Sequence, residues 1–217
     1  MIRQFQSLLL PAIVCLCVAA AETASAHPHV WVTMRSELLY GPDGAITGVR
    51  HAWTFDDEFS VFATQGLESK RRGVFTREEL APLAEVNVTS LKEYRFFTFA
   101  KADGKKTPFN EPVDYYLDYD ADRSVLTLHF TLPLKAPIRA KQLYVDVYDP
   151  TYFVDFAFIE KNPVTLVGAP AGCKLSIVRP EEANVQAQRL PESFFNSLDA
   201  SAGWGAQFTN KISVKCP

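Results

Sequence analysis

The chain has 217 residues, 47% of them hydrophobic, and a formal net charge of −3. That length holds one large domain with a full core. So mild an acidic balance leaves no electrostatic footprint for nucleic acid or anionic lipid.

Residues 1–26 read as a cleavable secretory signal. Arg3 supplies a basic start, Leu8 to Ala21 an apolar run, and Ala24-Ser25-Ala26 the small residues at −3 and −1. The apolar run falls short of the ~20 residues that span a bilayer. No later stretch approaches that length, so the mature chain is expected to cross no membrane. Cys17 lacks the small residues in front of it that lipoprotein processing requires. Cleavage after Ala26 predicts a periplasmic protein whose first residue is His27.

Cys15 and Cys17 leave with the signal, and Cys173 and Cys216 remain. In an oxidising compartment this pair predicts a disulfide. It would close a loop of about 43 residues and staple the C-terminal tail to the body. A thiol metal site is the alternative, disfavoured because no C-x-x-C is present.

From Val30 the pattern has period two, with Val30, Val32, Met34, Leu38 and Tyr40 mainly on one face. Gly41-Pro42-Asp43-Gly44 is a turn, and Ile46 to Phe55 reads as the returning strand of a hairpin. Such a hairpin offers to carry His51 back toward the start of the first strand. Asp56-Asp57-Glu58 begins a helix capped by Asp56 or Asp57. A longer helix runs from about Arg77 to Tyr94, with Thr76 and Glu79 as its capping box and Leu80, Leu83, Val86, Asn87, Leu91 and Tyr94 as its stripe.

The loop between these helices has the shape of an EF-hand. With Gly73 at its sixth position, Glu68, Lys70 and Arg72 take the first, third and fifth. Calcium needs oxygen ligands there, and two of the three are cations, so no calcium is expected. Beyond the helix, strands are predicted at 95–101, 113–119, 124–134, 143–148, 152–159, 164–167 and 175–178, with Phe208 to Cys216 last. Pro180 to Ser201 is the least regular part. The predicted fold is mostly β (α+β): one β-rich domain over 27–217, with β-sandwich-like antiparallel sheets and a helical, EF-hand-shaped insertion near 56–94.

The chemistry concentrates in the histidines. A mature N-terminal His27 carries an α-amine and an imidazole on one residue, and together they can chelate a metal. His29, two positions on, shares its strand face, and His51 is a further candidate ligand. Pro28 has no amide hydrogen, which blocks the square-planar wrap that an X-X-His terminus otherwise gives copper or nickel. Terminal chelation or a multi-imidazole site for zinc, nickel, cobalt or copper remains.

Competing readings weigh on each residue. His51 shares parity with Trp53 and Phe55, as a packed histidine would. His129 lies on a polar face, where a solvated histidine is the ordinary reading. Asp56-Asp57-Glu58 suits a helix N-terminus. Asp149 reads first as a turn-capping residue, with Asp149 and Asp155 as reserve ligands. No G-x-S-x-G, H-E-x-x-H, glycine-rich phosphate loop or free mature cysteine points to an enzyme.

Several segments occur together in order: His27-Pro28-His29-Val30-Trp31-Val32, Trp53-Thr54-Phe55-Asp56, Phe75-Thr76 with Glu78-Glu79-Leu80, Tyr148-Asp149-Pro150-Thr151-Tyr152-Phe153, and Gly168 to Cys173 with a late cysteine. This combination resembles a bacterial family of exported proteins labelled "ABC-type uncharacterised transport system, periplasmic component", over essentially the whole mature chain. The resemblance implies an accessory or solute-binding component of divalent transition-metal transport, with an inner-membrane metal permease as partner. Members often carry an acidic EF-hand-like loop, from which Lys70 and Arg72 depart. Two other readings stand beside it: a metal-free β-sandwich that docks to a permease, and a copper enzyme using His27.

Overall fold

The computed structural model describes residues 28–180, 192–196 and 204–217. The expected signal, His27 and most of the irregular 180–201 stretch lie outside the described residues.

Strand β1 (Val30–Tyr40) alternates as its sequence does, burying Val30, Val32, Met34, Ser36 and Leu38. It turns through Gly44, whose φ of 77° suits a residue without a Cβ, into β2 (Ile46–Phe55). Helix α1 (Asp57–Thr64) follows, with the Asp56 carboxylate accepting from the Phe59 amide at 2.7 Å. Ser60 Oγ accepts from the Leu126 amide at 3.0 Å and fixes this helix to the sheet. Helix α2 (Arg77–Leu91) opens on the expected capping box of Thr76 and Glu79.

The rest of the chain is largely strand: β3 (Thr98–Ala102), β4 (Lys105–Thr107), β5 (Val113–Asp120), β6 (Val125–Ile138), β7 (Gln142–Val147), β8 (Val154–Phe158), β9 (Val164–Val167), β10 (Lys174–Val178) and β11 (Asn210–Lys215), with a short helix α3 (Glu192–Asn196) before β11. One sheet runs β5-β6-β2-β1-β8, with β9 also pairing to β1, and the other runs β10-β11-β7-β3-β4. The fold is mostly β, as its alternation predicts.

Two pairings differ from the antiparallel expectation. β1 pairs in parallel with both β8 and β9. Alternation reports which face of a strand is buried and is blind to the direction of its neighbour. The chain crosses to the second sheet and back before β8, and such a long connection permits a parallel return.

Side chains from both sheets form one core cluster, including Met34, Trp53, Leu128 and Phe130 from the first and Val145, Val147 and Ile212 from the second. Trp53 meets Phe130 edge-on at 4.7 Å and Phe156 at 4.8 Å. Asn210 Nδ2 donates to the Phe156 carbonyl at 2.5 Å, tying β11 to β8 across the sandwich.

Helix α2 packs on β5. It buries Leu80, Ala84 and Val88, whereas Val86 of the expected stripe is 61% exposed. Residues four apart lie over one another on a helix, and that spacing selects 80, 84 and 88. At its N-terminus the Arg77 guanidinium makes two bonds to Asp118 on β5, at 2.6 and 3.0 Å.

The strand expected from Arg95 begins instead as a turn. Arg95, Phe96 and Phe97 have φ of 56°, 54° and 46°, a left-handed run costing roughly 1–2 kcal/mol per residue. Burial of Phe96 and Phe97 in the core offsets that strain.

The expected disulfide joins Cys173 to Cys216 across a separation of 43 residues. It anchors the turn before β10 to the end of β11. Replacing Cys216 with serine is expected to lower the unfolding free energy by about 3–4 kcal/mol in urea denaturation. An unchanged midpoint would show that the strands hold the tail without it.

Candidate functional site

The start of β1 is clasped on both sides. The His29 and Val30 amides donate to the Phe153 carbonyl at 2.9 and 3.3 Å, and the His29 ring stacks on Phe153 at 4.6 Å. On the other side the Trp31 amide donates to the second oxygen of Asp56 at 2.7 Å. Pro28 is buried and His29 exposed. The chain therefore reaches His29 anchored rather than trailing.

Asp149 stands beside this clasp, in the turn that leads into β8. One of its oxygens accepts from the Thr151 amide and hydroxyl, both at 2.8 Å, and the other from the Val154 amide at 3.0 Å. Burial raises its pKa, and these hydrogen bonds oppose the rise. Asp155, opposite Trp31 in the parallel pair, is pushed up to about 6 by burial.

His51 is elsewhere. It pairs with Ser36, roughly 20 Å along the strand from His29, so the register corrects the expectation that the hairpin returns it to the chain start. Phe55 is the β2 residue that lies there, opposite Val32. The ring is buried between the sheets, with Nδ1 at 2.9 Å from Ser36 Oγ and Nε2 at 3.3 Å from Thr98 Oγ1. Trp53 and Phe130 flank it. Burial lowers its pKa to about 3, so at neutral pH it is a neutral polar tie across the core.

His129 departs from the solvated reading. It is half-buried, stacks on Tyr116 at 4.5 Å and lies 3.3 Å from Asp118, the residue that Arg77 holds. Burial lowers its pKa, Asp118 opposes, and Arg77 adds to the lowering. The EF-hand-shaped loop spends its Glu79 carboxylate on the Lys70 and Thr76 amides, at 2.8 and 2.9 Å.

Of the expected ligands, then, His29 and the Asp149 turn meet at one end of the sandwich and His51 does not. Among the described residues no group of three or more His, Cys, Asp or Glu side chains is gathered for a metal, and His27 lies outside them. No helix among them is long and apolar enough to cross a membrane.

A cavity of about 360 Å³ opens beside His29's anchor, walled by Val30, Trp53, Phe55, Phe59, Leu91 and Phe153. Its size and mostly apolar lining suit a binding pocket. Sequence reading missed it because aromatics on β2 and α1 carry the same signal whether they fill a core or wall a cavity. Phe153, in its wall, is 47% exposed, and Trp31, on the outer face of β1, is 46% exposed, while Tyr152 is 1% exposed and stacks on Phe208 at 3.9 Å.

A family described as "Protein of unknown function (DUF1007)" matches residues 12–216. A Haemophilus influenzae protein described as uncharacterized is 23% identical over 197 residues, covering 88% of this chain and 91% of its own length.

Proposed function

Since the chain belongs to the DUF1007 family of proteins of unknown function, we propose that it is a non-catalytic periplasmic accessory of divalent transition-metal transport. In this reading its metal ligands are the amine and imidazole of His27 and the imidazole of His29. The supporting observation is the anchored start of β1. Pro28 is buried, and His29 is fixed to Phe153 through both backbone and ring. A ligand held in place before the ion arrives loses less freedom on binding. The ion is zinc, nickel, cobalt or copper, by the preference of imidazole nitrogen.

Isothermal titration of the processed protein with Zn²⁺, Ni²⁺, Co²⁺ and Cu²⁺ tests this. A His27→Ala, His29→Ala double variant is expected to bind at least tenfold more weakly, and a glycine placed before His27 to weaken binding by removing the amine from the chelate. Equal affinity in the double variant would sink the metal reading.

A second reading is a metal-free module that docks to a membrane permease. It draws on two exposed rings at this end of the sandwich, Phe153 in the wall of the apolar cavity and Trp31 on the outer face of β1, since exposed apolar surface marks interaction sites. Permease capture that survives the histidine double variant and a chelator but is lost in Trp31→Ala, Phe153→Ala would favour it.

A further inference from the structure

Tyr94 and Thr151 line two cavities at once, the apolar one already described and a second of about 650 Å³. The second has a different chemistry. Arg95, Lys101 and Lys106 stand in its walls against two carboxylates, Glu93 and Asp146. Among the described residues none of these three cations is in an ion pair.

Two features of this wall work against the stability of the fold on its own. Lys101 and Lys106 are directly opposed across β3 and β4, where like charges repel. The left-handed turn Arg95–Phe97 is strained, and strain of this kind gathers at ligand sites. That turn sends Phe97 into the wall of the apolar cavity and Arg95 into the wall of the cationic one. The Arg95 guanidinium lies 5.0 Å over the Phe99 ring, and Phe99 meets Tyr148 at 4.8 Å. A tilted aromatic pair thus sits beneath a fork suited to a carboxylate or phosphate.

We infer that the two cavities form one binding site for an amphipathic anion. Its apolar body occupies the chamber walled by Trp53, Phe55 and Leu91. Its carboxylate or phosphate head passes Tyr94 and Thr151 to reach Arg95, Lys101 and Lys106. Neither cavity alone selects such a molecule, since one lacks cations in its walls and the other has a lining of mixed polar and apolar character. Their junction selects it. The inference is independent of the proposed metal ligands, which belong to the chain start.

The test is isothermal titration of the processed protein, in chelator, with decanoate, decyl phosphate, decanol and inorganic phosphate, all below micelle-forming concentrations. The chelator keeps the outcome separate from that of the metal titration. At least one of the two amphipathic anions is expected to bind saturably at one per chain, at least tenfold more tightly than decanol or inorganic phosphate. The tighter of the two assigns the head group as carboxylate or phosphate. Lys101→Gln with Lys106→Gln, both exposed positions, should weaken the anion at least tenfold and leave decanol unchanged. Leu91→Trp, which fills the apolar chamber, should weaken anion and alcohol alike. Decanol binding as tightly as the anions, an anion affinity untouched by the lysine pair, or no saturable binding in a folded protein each overturns the inference.

Discussion

Replacing His51 with alanine is expected to lower the unfolding free energy by about 3–5 kcal/mol at pH 8 and to leave metal affinity unchanged. The side chain is fully buried and bonded to Ser36 of one sheet and Thr98 of the other. Truncation opens a void between Trp53 and Phe130 and removes a partner from each of two buried hydroxyls. A metal-binding loss with little change in stability would instead make His51 a ligand.

The same variant carries a pH signature. With its pKa lowered from 6.5 to about 3, His51 contributes stability that is fully present above the unfolded value and is lost as pH falls through the folded one. Below pH 6.5 the unfolded chain takes a proton that the native ring refuses. The wild type should therefore lose about 1.4 kcal/mol per pH unit relative to the alanine variant. Asp155 acts in the opposite sense. Its folded pKa is raised from 3.8 to about 6, so its contribution is full below pH 3.8 and disappears as pH rises through 6. In the wild type the two slopes largely cancel between about pH 4 and 6. In the variant that of Asp155 is no longer opposed by His51, so its stability in urea should rise on acidification relative to the wild type across that window. A gap between the two proteins that stays constant from pH 8 to 5 would place an ionised His51 in the native state.

How far the sequence carries depends on which physical signal each feature leaves. The β1–β2 hairpin and the Thr76–Glu79 box were legible because alternation and capping act over a few neighbouring residues. The Cys173–Cys216 bond was legible from compartment chemistry. Parallel pairing of β1 with β8 and β9 was not, since both directions bury the same face. His51 shows a sharper limit. Its parity with Trp53 and Phe55 already suggested packing, but its distance from His29 depends on a register that also decides which β2 residue meets the chain start. The Arg95–Phe97 turn leaves no sequence trace, because ordinary side chains resist positive φ and only tertiary burial holds them there. With it went the cationic cavity, whose residues come from three strands and two turns.

Asp149→Ala is expected to cost about 3–5 kcal/mol, from the orphaning of two amides and a hydroxyl at about 1–3 kcal/mol for a buried group. Thr151 and Val154 would lose the acceptors that shape the turn into β8, and Phe153 in that turn is what anchors His29. Asparagine separates the roles of the two oxygens. It keeps an acceptor for Thr151 but turns an NH₂ toward the Val154 amide, so it should cost less, roughly 1–2 kcal/mol. Gly205 is matched to the same turn, because a Cβ there would lie 2.3 Å from the Asp149 carbonyl oxygen and 2.5 Å from that of Pro150. Gly205→Ala should thus also destabilise, and less than additively with Asp149→Ala, since a turn already loosened can yield to the new methyl group. Urea denaturation of the wild type, the three single variants and the double variant, paired with metal titration of each, distinguishes scaffold from ligand. A scaffold residue loses stability in proportion to its orphaned donors while metal affinity follows His27 and His29. If Asp149→Asn abolishes metal binding at unchanged stability, Asp149 is a ligand and the carboxylate must leave its own turn to bind.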